Sequence, residues 1–206
     1  QVIDKVRQAV GPGLAVGVRL VVEEFVEGGI TLEQGKVIAQ RLEATGQIDY
    51  INVSVASVTG IPATPNLYHP HGLFIPLAAG IKEVVQKTAI IAYGRILDPR
   101  EAEKVLADGH ADLVGMTRLH MTDPEAANKA KEGRLEDIRA CVGCLQCQIG
   151  FPTILFSSAC VQNPAMGKEI EWGIGTLKPA EKKKRVLVVG GGPAGKEAAR
   201  VAHLRG

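Results

Sequence analysis

Four times between residues 14 and 133 a short apolar run of strand length gives way to a stretch whose apolar residues recur at helical spacing. The runs at 14–20, 48–55, 88–93 and 111–116 are of the buried-strand kind. Thr31, with Gln34 three residues on, opens a helix that carries Val37, Ile38 and Leu42 towards a stop at Gly46. Helical spacing returns over 73–86. Asp98-Pro99 and Asp123-Pro124 each place an N-cap before a proline in the first turn, predicting helices that end near Gly109 and Gly133. A leading helix over 2–10 stops at Gly11-Pro12-Gly13. Alternation of this kind predicts an α/β fold of parallel βαβ units, since a parallel neighbour is reached only by a crossover. Four units make half of a (β/α)8 barrel or a small open sheet, and periodicity leaves both readings open.

In a (β/α)8 barrel the site lies at the C-terminal ends of the strands, and phosphate is commonly held by the loops after strands 7 and 8. If these four strands are numbers 5 to 8, those loops begin at Gly94-Arg95 and at Gly115-Met116-Thr117-Arg118. Each combines a glycine, which lets backbone N–H groups approach an anion, with an arginine that can grip phosphate by two bonds. Arg19 is expected to end the first strand, where the buried-strand pattern would ordinarily carry another apolar residue.

All four cysteines fall between Cys141 and Cys160. Cys141-Val142-Gly143-Cys144-Leu145-Gln146-Cys147 places three thiols on one tight turn, and Cys160 follows after twelve residues. A compact triple with a distant fourth suits a cubane 4Fe–4S cluster. Tetrahedral zinc is more usually met by two separated Cys-x-x-Cys knuckles, and a disulfide pair is the third reading. Clustering of this kind, in place of a distributed disulfide framework, suggests a reducing compartment and a cytoplasmic protein.

The segments Gly17-Val18-Arg19-Leu20, Tyr50-Ile51-Asn52-Val53-Ser54, Gly94-Arg95-Ile96-Leu97-Asp98-Pro99 and Ala111-Asp112-Leu113-Val114-Gly115-Met116-Thr117-Arg118, through Asp123-Pro124, together resemble the second half of the old yellow enzyme family barrel. The resemblance extends, in order and spacing, over essentially the whole chain. It implies an FMN-binding (β/α)8 barrel with Arg19, Gly94, Arg95, Thr117 and Arg118 in contact with FMN. Arg19 would then stabilise negative charge on the pyrimidine side of the flavin. The cysteine segment, with Asn163-Pro164-Ala165-Met166-Gly167-Lys168-Glu169 behind it, resembles the family's iron–sulfur branch, that of 2,4-dienoyl-CoA reductase and trimethylamine dehydrogenase. That implies a 4Fe–4S cluster outside the barrel, ligated by Cys141, Cys144, Cys147 and Cys160. Two residues between the second and third cysteines are closer to the amine dehydrogenase pattern; the dienoyl-CoA reductase pattern has three.

Behind the basic run 182–185, Val186-Leu187-Val188-Val189 reads as a strand. Gly190, Gly192 and Gly195 then form Gly-x-Gly-x-x-Gly ahead of a helix with Glu197, Ala198, Ala199 and Val201. This geometry sets a pyrophosphate on a helix N-terminus. The acidic residue expected about 20 positions on would fall past Gly206, so only the first βα unit of a Rossmann-like domain is predicted. In the family such a domain binds FAD, or ADP in trimethylamine dehydrogenase, with NAD(P)H as a further candidate. The organisation expected is a half-barrel over 1–138, a cluster segment and linker over 139–180, and the opening of a nucleotide-binding domain over 181–206.

Lys and Arg number 24 against 22 Asp and Glu, and a formal net charge of +2 gives no electrostatic reason to expect nucleic acid or a membrane surface as partner. No apolar run approaches the ~20 residues of a membrane-spanning helix. The parts imply an oxidoreductase in which a nicotinamide or a substrate gives two electrons to one flavin, and the cluster passes them singly to a further partner. Two directions are open: NAD(P)H-driven reduction of an activated C=C bond such as an enoyl or dienoyl thioester, or oxidation of an amine or N-methyl group with export to an electron-transfer protein. Thr117-Arg118-Leu119-His120 and the cysteine spacing lean towards the second. Against it, the loop 57–72 lacks the aspartate of the trimethylamine dehydrogenase triad, and it also lacks the dienoyl-CoA reductase histidine. Its titratable groups are Tyr68, His69 and His71, and no catalytic residue is assigned. Half a barrel leaves sheet edges and an apolar interior uncovered. The start Gln1-Val2-Ile3-Asp4-Lys5 reads as mid-chain, so the remainder of the chain or a complementary subunit is expected; a piece alone would be inactive. A homo-oligomer is expected of the complete protein.

Overall fold

The computed structural model describes residues 1–56, 63–149 and 158–206. Two compact units divide the chain, residues 1–145 and 146–206. The first runs α1 (Val2–Val10), β1 (Gly17–Glu23), α2 (Leu32–Ala44), β2 (Tyr50–Val55), α3 (Ile75–Lys82), β3 (Ala89–Ala92), α4 (Pro99–Ala107), β4 (Leu113–Val114), α5 (Thr117–Thr122), α6 (Ala126–Lys131) and a 3-10 turn at Leu135–Asp137.

The strands form one parallel sheet in the order β1-β2-β3-β4, with Arg19 opposite Asn52, Asn52 opposite Ile91 and Ile91 opposite Leu113. A doubly wound open sheet reverses its strand order at a switch point. Here the order advances without reversal, and right-handed crossovers of that kind stack every helix on the same face. Val22, Ile51, Val53, Ile90 and Ala92 supply the covered face and bury against Ala39, Ala78, Ile81, Ala102 and Val105 of the helices. Each large aliphatic side chain among them contributes about 1.5–3 kcal/mol. The opposite face carries the row Arg19, Asn52, Ile91 and Leu113, of which Arg19 and Leu113 are exposed. This is half of a (β/α)8 barrel, which decides between the two readings that periodicity leaves open.

Local chemistry explains the joints. Gln34 Oε1 accepts from the Thr31 N–H at 3.0 Å, as the cap spacing predicts. An ideal Cβ on Gly35 would lie 2.8 Å from Val22 Cβ, so glycine lets α2 lie close on β1. The Asp98 carboxylate accepts from Arg100 N at 2.8 Å, and Pro99 opens α4.

Several boundaries differ from expectation. The ladder of β1 starts at Gly17, because residues 14–16 are held by side chains: Arg7 Nη1 donates to Leu14 O at 2.8 Å, and Asp49 Oδ2 accepts from Val16 N at 2.7 Å. The predicted strand over 111–116 contracts to Leu113–Val114. The Asp112 carboxylate instead accepts from Ile90 N and Lys82 Nζ, and the chain turns at Gly115 into the short α5, which periodicity does not predict.

Glu43 ties the α3–β3 connection. Its Oε1 accepts from the N–H groups of Gln86, Lys87 and Thr88 at 2.7–2.9 Å. Partial burial pushes its carboxyl up, but the amides of Lys87, Thr88 and Gln86 outweigh that and hold it below its ordinary 4.5. Glu43→Gln is expected to cost about 1 kcal/mol at pH 7, solvent screening keeping the figure low. A depressed carboxylate stabilises above its unfolded value of 4.5 and loses that contribution as pH falls through the folded one. The gap between wild type and variant in urea midpoints should therefore shrink as pH is taken well below 4.5, and a gap independent of pH would contradict this role.

The second unit contains α7 (Gln146–Ile149), α8 (Glu169–Trp172) and α9 (Pro193–Leu204). The expected strand over 186–189 is not formed. A strand exists through its ladder, and the described residues of this unit supply no partner; Val186, Leu187 and Val189 are exposed. No helix among the described residues is long and apolar enough to cross a membrane.

Candidate functional site

β3 ends at Ala92 and its neighbour β4 at Val114, which brings the segments 93–95 and 115–118 to the same end of the sheet. The Gly115 N–H donates to Ala92 O at 2.8 Å and locks the two exits together. Gly94 has φ 136°, and a Cβ there would lie 2.8 Å from the Phe74 amide nitrogen, so only glycine fits. Arg95 follows at φ 60°, a left-handed conformation that costs a non-glycine residue roughly 1 kcal/mol or more.

The loop from 63 to 72 braces both arginines. Arg95 Nη1 donates to His69 O, and Arg118 Nη1 donates to Pro65 O at 2.6 Å. Arg95 Nε is buried with no hydrogen-bond partner among the described residues. A buried cationic N–H left without an acceptor is costly, and an anion at this end of the sheet would supply one. Gly94 is packed against Phe74, so of this pair it is the unsatisfied guanidinium nitrogen that fits a phosphate in kind. Thr117, the exposed first residue of α5, and Gly115 border the same exits.

Arg19 is not where the sequence puts it. It is the third residue of the seven-residue β1, in the body of the sheet, because the ladder extends on to Glu23. There its Nη1 donates to Asn52 Oδ1 at 3.2 Å, and its guanidinium carbon stands 4.8 Å from the Tyr93 ring centroid. Asn52 and Tyr93 are thus partners of Arg19, and candidate site residues, that the sequence reading missed. A signal was present: Asn52 and Ser54 alternate with Ile51, Val53 and Val55, so the strand carries a polar face.

In the long loop, residues 57–62 lie outside the described residues. Tyr68 is 85% exposed. His69 Nδ1 pairs with Asn66 Oδ1 at 2.8 Å, and His71 Nδ1 with Glu101 Oε1 at 2.5 Å, so each histidine has a structural partner.

Cys141 is half-buried and Cys144 exposed, Cys147 lies in α7, and Cys160 Sγ accepts from Gln162 N at 3.4 Å. No disulfide joins the four cysteines. Among the described residues no three His, Cys, Asp or Glu side chains are gathered to hold a metal, and residues 150–157, between the third and fourth cysteines, lie outside them. The donor set, four reduced thiols with three at intervals of three residues, fits an iron–sulfur cluster in kind.

In the second unit Gly190 has φ 103° and Gly192 caps α9. A Cβ on Gly195 would lie 2.0 Å from Gly190 O, so the third glycine is required by the closeness of the turn.

Residues 1–137 match the model of a family described as NADH:flavin oxidoreductase / NADH oxidase. The NADH oxidase of Thermoanaerobacter brockii is 40% identical over 209 residues, covering 100% of this chain and 31% of that protein. The N,N-dimethylglycine/sarcosine dehydrogenase of Chromohalobacter salexigens is 38% identical over 214 residues, covering 100% of this chain and 30% of that protein. Among solved structures, a 2-naphthoyl-CoA reductase in complex with 2-naphthoyl-CoA superposes with a TM-score of 0.89 at 35% identity, over 100% of this chain and 31% of that one. The chain thus spans about a third of the length of the curated relatives it matches.

Proposed function

The chain belongs to the NADH:flavin oxidoreductase / NADH oxidase family, and from that premise we propose that the complete protein is an FMN- and 4Fe–4S-dependent oxidoreductase that reduces an activated C=C bond, such as one conjugated to a thioester, with electrons from NAD(P)H. One observation carries the cofactor assignment: the buried Arg95 Nε, without a hydrogen-bond partner among the described residues. Likeness to a reductase crystallised with an aromatic thioester supports the substrate class.

When bound, FMN supplies hydride transfer and one-electron exchange. In this reading Arg95 and Arg118 grip its phosphate, with Gly94, Gly115 and Thr117 forming the wall. Arg19, fixed by Asn52 and Tyr93, sets positive charge on the uncovered sheet face against the pyrimidine edge. Cys141, Cys144, Cys147 and Cys160 ligate the cluster, and Gly190, Gly192 and Gly195 begin the site of a second nucleotide, FAD or a relative of it. The remaining barrel strands cover the bare face.

A second reading, amine oxidation with electrons exported through the cluster, is favoured by the two-residue interval between Cys144 and Cys147 and by the sarcosine dehydrogenase relative. Anaerobic titration of the complete protein, followed at flavin wavelengths, separates the two. NADH or NADPH should bleach the flavin, and an enoyl thioester should restore it. Bleaching by secondary or tertiary amines alone would sink the reductase reading. Cys144→Ser should abolish the broad visible absorbance of the cluster; a wild-type protein holding stoichiometric zinc in place of iron would defeat that assignment.

A further inference from the structure

The cysteine segment does more than carry thiols. Gly143, between Cys141 and Cys144, is buried at φ 71°. A Cβ on it would lie 3.2 Å from both N and Cα of Leu67 and 3.4 Å from Arg95 Nε. Arg95 is therefore bounded on one side by the 63–72 loop, whose His69 carbonyl accepts from Nη1, and on another by the backbone of the cysteine turn. Gly143 thus approaches the same nitrogen that lies buried without an acceptor.

We propose that Gly143 is a positioning residue for Arg95, so that the first turn of the cysteine motif is also a wall of the phosphate site. The proposal rests on the reading that Arg95 grips the FMN phosphate. Two physical facts support it. At 3.2 Å the Leu67 backbone is closer than ordinary van der Waals contact, and at 3.4 Å Arg95 Nε is at its lower limit. Any side chain must therefore shift the Leu67 backbone or the cysteine turn, and the guanidinium packed against both has little slack to absorb the change. A charge-assisted bond between guanidinium and phosphate is also directional, and a small shift in Nε removes much of it.

The test is the affinity of the complete apoprotein for FMN, read by quenching of flavin fluorescence, with iron content measured in parallel. Gly143→Ala adds a Cβ and strains a left-handed residue. Gly143→Asn adds the same Cβ, but asparagine tolerates that conformation. Each should weaken FMN binding by about 10-fold or more. In an Arg95→Ala background neither should weaken it further by more than about 2-fold, because the group being positioned is gone. Full FMN affinity in Gly143→Asn would overturn the proposal, as would losses that multiply with that of Arg95→Ala. A wild-type protein that binds no FMN would instead sink the FMN reading itself and this inference with it.

Discussion

Asp123→Ala is expected to destabilise the protein by about 3–5 kcal/mol, the cost of leaving one partner of a buried ion pair alone. The Asp123 side chain is only 2% exposed, and Lys129 Nζ sits 2.6 Å from Oδ2. The same oxygen accepts from Arg139 N at 2.9 Å, and Oδ1 accepts from Glu125 N at 3.1 Å. Asp123 ends α5, and Glu125, not the expected Asp123, is the N-cap of α6. The carboxylate thus braces the turn between the two helices, pairs with a lysine of α6 and ties down the backbone two residues before Cys141. Burial pushes its carboxyl up, but Lys129, with the amides of Arg139 and Glu125, outweighs that and holds it below the ordinary 3.8. The contribution is complete above 3.8 and disappears as pH falls through the lower, folded value. Asp123→Asn should lose less, since its amide oxygen still accepts from one backbone N–H. Urea midpoints at pH 7 measure both variants, and a loss under about 1 kcal/mol for alanine would show that the pair is not structural.

Arg95→Ala should lower FMN affinity by about 100-fold, equivalent to removing one charge-assisted, two-pronged interaction of about 2–3 kcal/mol. Arg95→Lys should recover part of it, because the charge survives but the planar fork does not. Fluorescence titration of apoprotein at two salt concentrations checks the assignment, since taking away a cation that faces the phosphate also lowers the salt sensitivity of binding. Affinity within about 3-fold of wild type would remove Arg95 from the site.

Much of this arrangement is legible in the residues themselves. Asp98-Pro99 and Thr31 with Gln34 fix helix starts through local hydrogen bonds, which is why α4 and α2 begin where the sequence says. Gly94-Arg95 and Gly115 to Arg118 reach one end of the sheet because strand exits follow from apolar run lengths. What could not be read was set by pairing across the sheet. The position of Arg19 within β1 depends on a ladder that starts at Gly17 and continues to Glu23, beyond the expected run. Tyr93 becomes a partner of Arg19 only through the adjacency of three strands. The proximity of Gly143 to Arg95, 48 positions apart, has no local signature at all. Val186 to Val189 has strand chemistry, but a strand needs a neighbour that no local rule can provide.

If Arg95 grips the FMN phosphate as proposed, its unsatisfied Nε bears on which flavin the complete protein would accept. Riboflavin has the same ring system and ribityl chain as FMN but ends in a neutral hydroxyl. With that ligand seated, a buried cationic donor would remain without an anionic acceptor, while the His69 and Pro65 carbonyls would already hold the two guanidiniums in place and prevent their escape to water. On the proposed reading, discrimination against the dephosphorylated vitamin would rest on an arginine held by its loop, whatever chemistry takes place at the other end of the cofactor.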